Sequence, residues 1–150
     1  MKRLLARLRE TFPFLCTRPA TEDDLLTFCS ERGIEVLFKP TVTNGFYVVY
    51  EGEHFIFLGS KLRGWRLLYV LAHEIGHYLL HVPGEKQFGA ECFDIHEKRK
   101  KHREAESVAA LLLLPIPELE QVLISGSHHV AEEIADLVAL RIEIRDKYKI

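Results

Sequence analysis

At 150 residues and 17.4 kDa, the chain has the length of one domain and enough apolar content to bury a core. Its composition, 47% hydrophobic and 28% charged, excludes the disordered, collagen-like and coiled-coil classes. A formal net charge of −2 leaves no global field to hold nucleic acid or an anionic membrane, so any such contact must be local.

Cys16, Cys29 and Cys92 cannot all pair within one chain and form no C-x-x-C, the pattern of reduced thiols in a cytoplasmic protein. Lys2, Arg3, Arg7, Arg9 and Glu10 interrupt any apolar run at the start, which argues against a signal peptide. The longest uncharged apolar stretch, Val108 to Pro117, falls short of the ~20 residues of a membrane span.

In chain order, Leu4, Leu5 and Leu8 among Lys and Arg predict a basic amphipathic helix ending before Pro13, a helical extension over residues 1–19. Thr21 is placed to cap a second helix whose first turn carries Glu22, Asp23 and Asp24, and Gly33 is placed to end it. Period-2 alternation follows. Ile34, Val36 and Phe38, then Phe46 to Tyr50, then His54 to Leu58, predict three strands, with Asn44-Gly45 and Glu51-Gly52 at the breaks. From Trp65 to His81 the period is helical and apolar on nearly every side, the mark of a buried helix. Residues 83–97 have no clear period. Helix resumes from Lys98 to Leu114, stops at Pro115, and continues as short helices over Glu118–Ile124, Val130–Val138 and Arg141–Tyr148. The expectation is one α+β domain over 1–150: a small three-stranded antiparallel sheet packed on a buried helix, then a helical C-terminal half.

The chemistry lies in His73-Glu74-Ile75-Gly76-His77, an H-E-x-x-H on that buried helix. Residues four apart share a helix face, so the two imidazoles converge with the bite needed for two ligands of one Zn²⁺, and Glu74 leans toward the open coordination position. An apolar helix has no cheap place for two imidazoles and a carboxylate without partners. A third ligand is still required. His81 fails, being a rise of ~12 Å along the helix from His73. Glu91, Asp94, His96, Glu97, Glu104 and Glu106 follow. Glu104 fits best, because it begins an apolar stripe with Val108, Leu111 and Leu112, and Ala105, Ala109 and Ala110 permit close helix approach. Glu97 shares its face and is the fallback, whereas Glu106 points elsewhere, toward solvent.

The run His73-Glu74-Ile75-Gly76-His77-Tyr78-Leu79-Leu80-His81, then Glu104-Ala105 and Ala109-Ala110-Leu111-Leu112-Leu113-Leu114-Pro115, resembles the ImmA/IrrE metallopeptidase family over roughly residues 20–148. The resemblance implies His73, His77 and Glu104 as zinc ligands and Glu74 as catalytic acid/base. Glu106 and Val108 depart from the family's Asn and Phe. The implied reaction is metal-assisted peptide hydrolysis, with Glu74 taking a proton from the attacking water and returning it to the leaving amine. His128, His129, Tyr47 and Tyr50 are candidates to hold the oxyanion.

By the same resemblance the expected substrate is a partner helix-turn-helix repressor controlling stress or mobile-element genes. The alternative is a non-hydrolytic zinc-binding regulator, or a toxin–antitoxin-type partner of a DNA-binding protein. The basic run Lys98-Arg99-Lys100-Lys101 with Arg103 reads as a solvated helix face, and the pair of helices over Ala131–Tyr148 as scaffold, so strong nucleic-acid binding by this chain is not expected. An extended substrate is expected on a sheet edge, with His54 to Leu58 as that edge. Residues Pro83 to Glu97 could form a lid over the cleft.

Overall fold

The computed structural model describes residues 1–81, 95–125 and 132–150, and the side chains of all of these except 95–97, 132 and 133. The chain divides into two compact units, Thr21–Val108 and Met1–Ala20 with Ala109–Ile150.

Helix α1 (Lys2–Thr11) belongs to the second of these units, and the first opens with α2 (Glu22–Glu31). Thr21 caps α2 as its sequence implies: its Oγ1 accepts from the Asp24 amide at 3.2 Å, and Asp24 Oδ2 accepts from the Thr21 amide at 2.8 Å. Three strands follow, β1 (Ile34–Lys39), β2 (Gly45–Tyr50) and β3 (Glu53–Gly59). Then come α3 (Gly64–His81) and α4 (Ile95–Leu113); the boundary between the units falls within α4. Tyr47 and Val49 on β2, and Ile56 and Leu58 on β3, alternate onto the buried face, and α3 packs against both strands.

The three strands are where the sequence places them, but the sheet is mixed rather than antiparallel. Its order is β1-β3-β2, with β1 parallel to β3 and β2 antiparallel to it. Asn44-Gly45 is not a hairpin turn. The segment after Lys39 instead crosses the end of β3 to its far side, tied by the Gly59 amide to the Asn44 carbonyl at 2.8 Å and the Ser60 amide to the Lys39 carbonyl at 3.1 Å. A tight hairpin joins β2 to β3 through Glu51 and Gly52, at φ 50° and 78°, as a two-residue turn with right-handed strand twist requires. The expected edge, His54 to Leu58, is therefore the central strand, and β2 is an edge.

The second unit contains α1 (Lys2–Thr11), the end of α4, α5 (Ile116–Ser125) and α6 (Glu132–Tyr148). Leu5 and Leu8 bury the apolar stripe of α1. The Ala20 amide donates to the Leu112 carbonyl at 2.9 Å. The two short helices expected after residue 130 are one helix, because Val138-Ala139-Leu140-Arg141 contains no breaker. Arg141 turns inward, with Nε donating to the Leu114 carbonyl at 2.8 Å and Nη1 to the Ile150 carbonyl at 2.9 Å; this satisfies a carbonyl at the end of α4. Among the described residues, no single helix is long and apolar enough to cross a membrane.

Candidate metal centre

Helix α3 has no proline and a continuous apolar register, so its 18 residues run unbroken beneath the sheet. That fixes His73 and His77 one turn apart on one face, with ring centroids separated by 4.9 Å. His73 is only 6% exposed. Burial first, then the neighbouring histidines, holds both imidazoles near a pKa of about 3, so both are neutral and ready to donate a lone pair at physiological pH. Glu74 is 7% exposed. Burial pushes its carboxyl up to about 8, and a hydrogen bond from the main chain of Tyr47 works in the opposite direction.

Gly76 brings the next helix in. A Cβ there would lie 2.8 Å from both the Cα and the carbonyl oxygen of Ala105, so only glycine lets α3 and α4 approach this closely. The close crossing sets His102 beside the motif pair, 4.5 Å from His73 between ring centroids. One ligand atom from each of His73, His77 and His102 can be chosen so that all lie within 4.8 Å of one another. The buried Nδ1 of His73 has no hydrogen-bond partner among the described residues, a costly state for a polar atom unless something else binds the ring. The two buried neutral imidazoles, with that of His102 beside them, suit a borderline divalent metal. The residues present fit a metal ion.

Glu104 lies on the same helix but at the end of a row of hydrogen bonds. His77 Nδ1 and His81 Nδ1 are 3.0 Å apart, and His81 Nε2 is 2.7 Å from Glu104 Oε2. Its carboxylate is also 3.9 Å from Lys100 Nζ. The structure thus brings His73, Glu74 and His77 together as the sequence implies, sets His102 third, and joins Glu104 to them through His81. Glu106 is only partly solvated: it accepts from the Tyr69 hydroxyl at 2.9 Å and lies 3.4 Å from His102 Nε2. Sequence reasoning missed His102 and Tyr69. The signal available for His102 was its place three and seven residues ahead of Ala105 and Ala109, inside the stretch where close helix packing was already expected.

A cavity of about 640 Å³ opens over these groups, lined by Gly45, Phe46 and Tyr47 of β2, by Arg66 to His77 positions of α3 and by Lys98 to His102 positions of α4. Of the candidates for the oxyanion, Tyr47 borders the cavity, but its hydroxyl is hydrogen-bonded to His54 Nδ1, and burial raises its phenol above the usual value. Tyr50 is 60% exposed and is not among the cavity residues. His128 and His129, the side chains of Glu91, Asp94, His96 and Glu97, and the stretch read as a lid over Pro83 to Glu97 all lie outside the described residues, apart from the helical backbone that begins at Ile95.

Compared with known proteins, residues 29–145 match the model of the family Peptidase_M78, described as the IrrE N-terminal-like domain. No curated protein and no solved structure matches the chain.

Proposed function

This chain belongs to the Peptidase_M78 family, and we propose that it is a zinc-dependent peptidase of the cytoplasm that cuts a partner helix-turn-helix repressor at a defined site. The observation that carries the hydrolytic reading is Glu74: a carboxyl buried beside two converging imidazoles and raised to about 8. A site built only to bind metal for stability has no use for such a group, which disfavours the non-hydrolytic regulator.

We assign the metal ligands to His73, His77 and Glu104. Electrostatics supports the carboxylate as third ligand. Three neutral imidazoles would leave the full charge of a divalent ion in a cavity already lined by Arg66, Lys98, Arg99 and Lys101, whereas Glu104 cancels one unit of it. His102 then stands beside the site as a hydrogen-bonding group. Zinc bound there supplies Lewis acidity toward the scissile carbonyl and acidifies water. Glu74 takes the water's proton, keeps it out of bulk solvent and delivers it to the leaving nitrogen; a carboxyl tuned near neutrality does both. Burial in the metal-free site holds the proton on Glu74, and a neighbouring cation favours its release.

The substrate adds to β2, whose Gly45, Phe46 and Tyr47 line the cavity. An extended peptide there would satisfy its backbone groups while lying over His73 and Glu74. The test is intact-mass analysis of the repressor encoded beside this chain after incubation with zinc-loaded protein. One or two complementary fragments are expected with the wild type and none with Glu74→Gln. Stable binding without fragments from the zinc-loaded wild type would replace the peptidase by the regulator.

A further inference from the structure

The basic run of α4 does not simply face solvent. Lys98, Lys101 and His102 recur at the spacing of one helix face, the face that continues to Ala105 against Gly76. Lys98, Arg99 and Lys101 all line the cavity over the metal centre. Arg66, near the start of α3, adds a fourth cation from a second helix, with its Nη2 held by Asn44 Oδ1 at 2.7 Å. Among the described cavity residues the one acidic side chain is Glu74, which is buried. The chain as a whole carries −2, so this concentration of positive charge is local.

We infer that the cleft selects peptide segments bearing acidic side chains next to the scissile bond. The inference rests on the peptidase reading above and names its substrate class. An extended strand on β2 presents alternate side chains toward the cavity, where Arg66, Lys98 and Arg99 meet its carboxylates and exposed Phe46 meets an apolar neighbour. Low-dielectric walls concentrate the field of these cations at the cleft rather than spreading it over the surface. A nucleic acid is the poorer fit, because the same cleft offers a sheet edge and apolar positions at Phe46 and Val70 rather than an extended basic track.

The test uses three labelled peptides of one length that differ only in carrying Glu, Ala or Lys on either side of a central bond. Binding is read by fluorescence anisotropy on the zinc-loaded Glu74→Gln protein, and cleavage is read separately on the wild type. The Glu peptide should bind on the order of tenfold tighter than the Lys peptide, with the gap narrowing at high ionic strength. It should close in the variant Arg66→Gln, Lys98→Gln, Arg99→Gln, whose exposed positions let the fold persist; an unchanged melting temperature checks this. Preferential binding of the Glu peptide sustains the inference whether or not the wild type cuts it, and the peptidase reading falls only if the zinc-loaded wild type also leaves the repressor intact. Cleavage of all three at equal rates and equal affinities overturns the inference and leaves the peptidase standing. Tighter binding of a single-stranded oligonucleotide than of the Glu peptide also overturns it.

Discussion

The Cα of Ala105 lies where a side chain on Gly76 would begin, 2.8 Å from an ideal Cβ. The obstruction is backbone, which cannot rotate away, so the contact sets the spacing of α3 and α4 and with it the reach of every α4 donor toward His73 and His77. Gly76→Ala should therefore cost about 1–3 kcal/mol of stability and weaken zinc binding at least as much. Ala105→Gly should not rescue it, because the Cα and carbonyl remain. Wild-type melting and wild-type zinc affinity in Gly76→Ala would show that another contact holds the helices.

Zinc retention separates the two α4 donors. His73→Ala and His77→Ala should each abolish stoichiometric binding. Glu104→Ala should lose most of the metal, while His102→Ala should keep one zinc per chain at reduced affinity, measured by metal analysis after desalting. The reverse pattern would give the third position to His102 and confine Glu104 to its hydrogen bond with His81.

Glu74→Gln keeps the shape of the buried side chain and removes its capacity to take a proton. It should fold, hold zinc and lose hydrolysis by roughly 10²–10⁴-fold. Peptide cleavage at the wild-type rate by this variant, after purification free of host proteases, would end the assignment of Glu74 as acid/base.

The metal-free protein should be most stable near pH 6.5. His73 and His77 are held near 3 against an ordinary 6.5, so between those values the unfolded chain binds the more protons and stability rises with pH. Glu74 has the opposite sign: it keeps its proton to about 8 when folded but loses it near 4.5 when unfolded, so its contribution falls with pH across that window. Two histidines outweigh one carboxyl up to pH 6.5, and above it Glu74 acts alone. Thermal melts in the presence of chelator should trace this maximum, and Glu74→Gln should flatten the alkaline side. A melting temperature that climbs steadily to pH 8 would contradict the burial assigned to Glu74.

The sequence made the motif helix legible because its signal is local. The i, i+4 histidines, the cap at Thr21 and the apolar register of α3 each depend on neighbours within a few residues. The sheet order was not legible, since Asn44-Gly45 carries a strong hairpin signal for a different reason. A Cβ on Gly45 would come within 2.7 Å of Val70 Cγ1, so glycine is needed there for β2 to pack on α3. Glu106 misled for a similar reason: a helix touched on two sides, here by Tyr69, has no single wet face to read from periodicity. His102 was hidden inside a charge run whose commonest meaning is solvation.

The mixed sheet also fixes an order of assembly. β2 and β3 can close on each other through a two-residue turn within microseconds, using contacts between near neighbours. β1 cannot, because Ile34 pairs with His54 and a parallel partner must wait for the intervening chain to cross. During synthesis β1 is the first strand to emerge and the last to be paired, so until the hairpin forms it has α2, which packs against it, but no strand beside it. Slow translation just after residue 40 would prolong the interval in which the amides and carbonyls along β1 have no ladder partner.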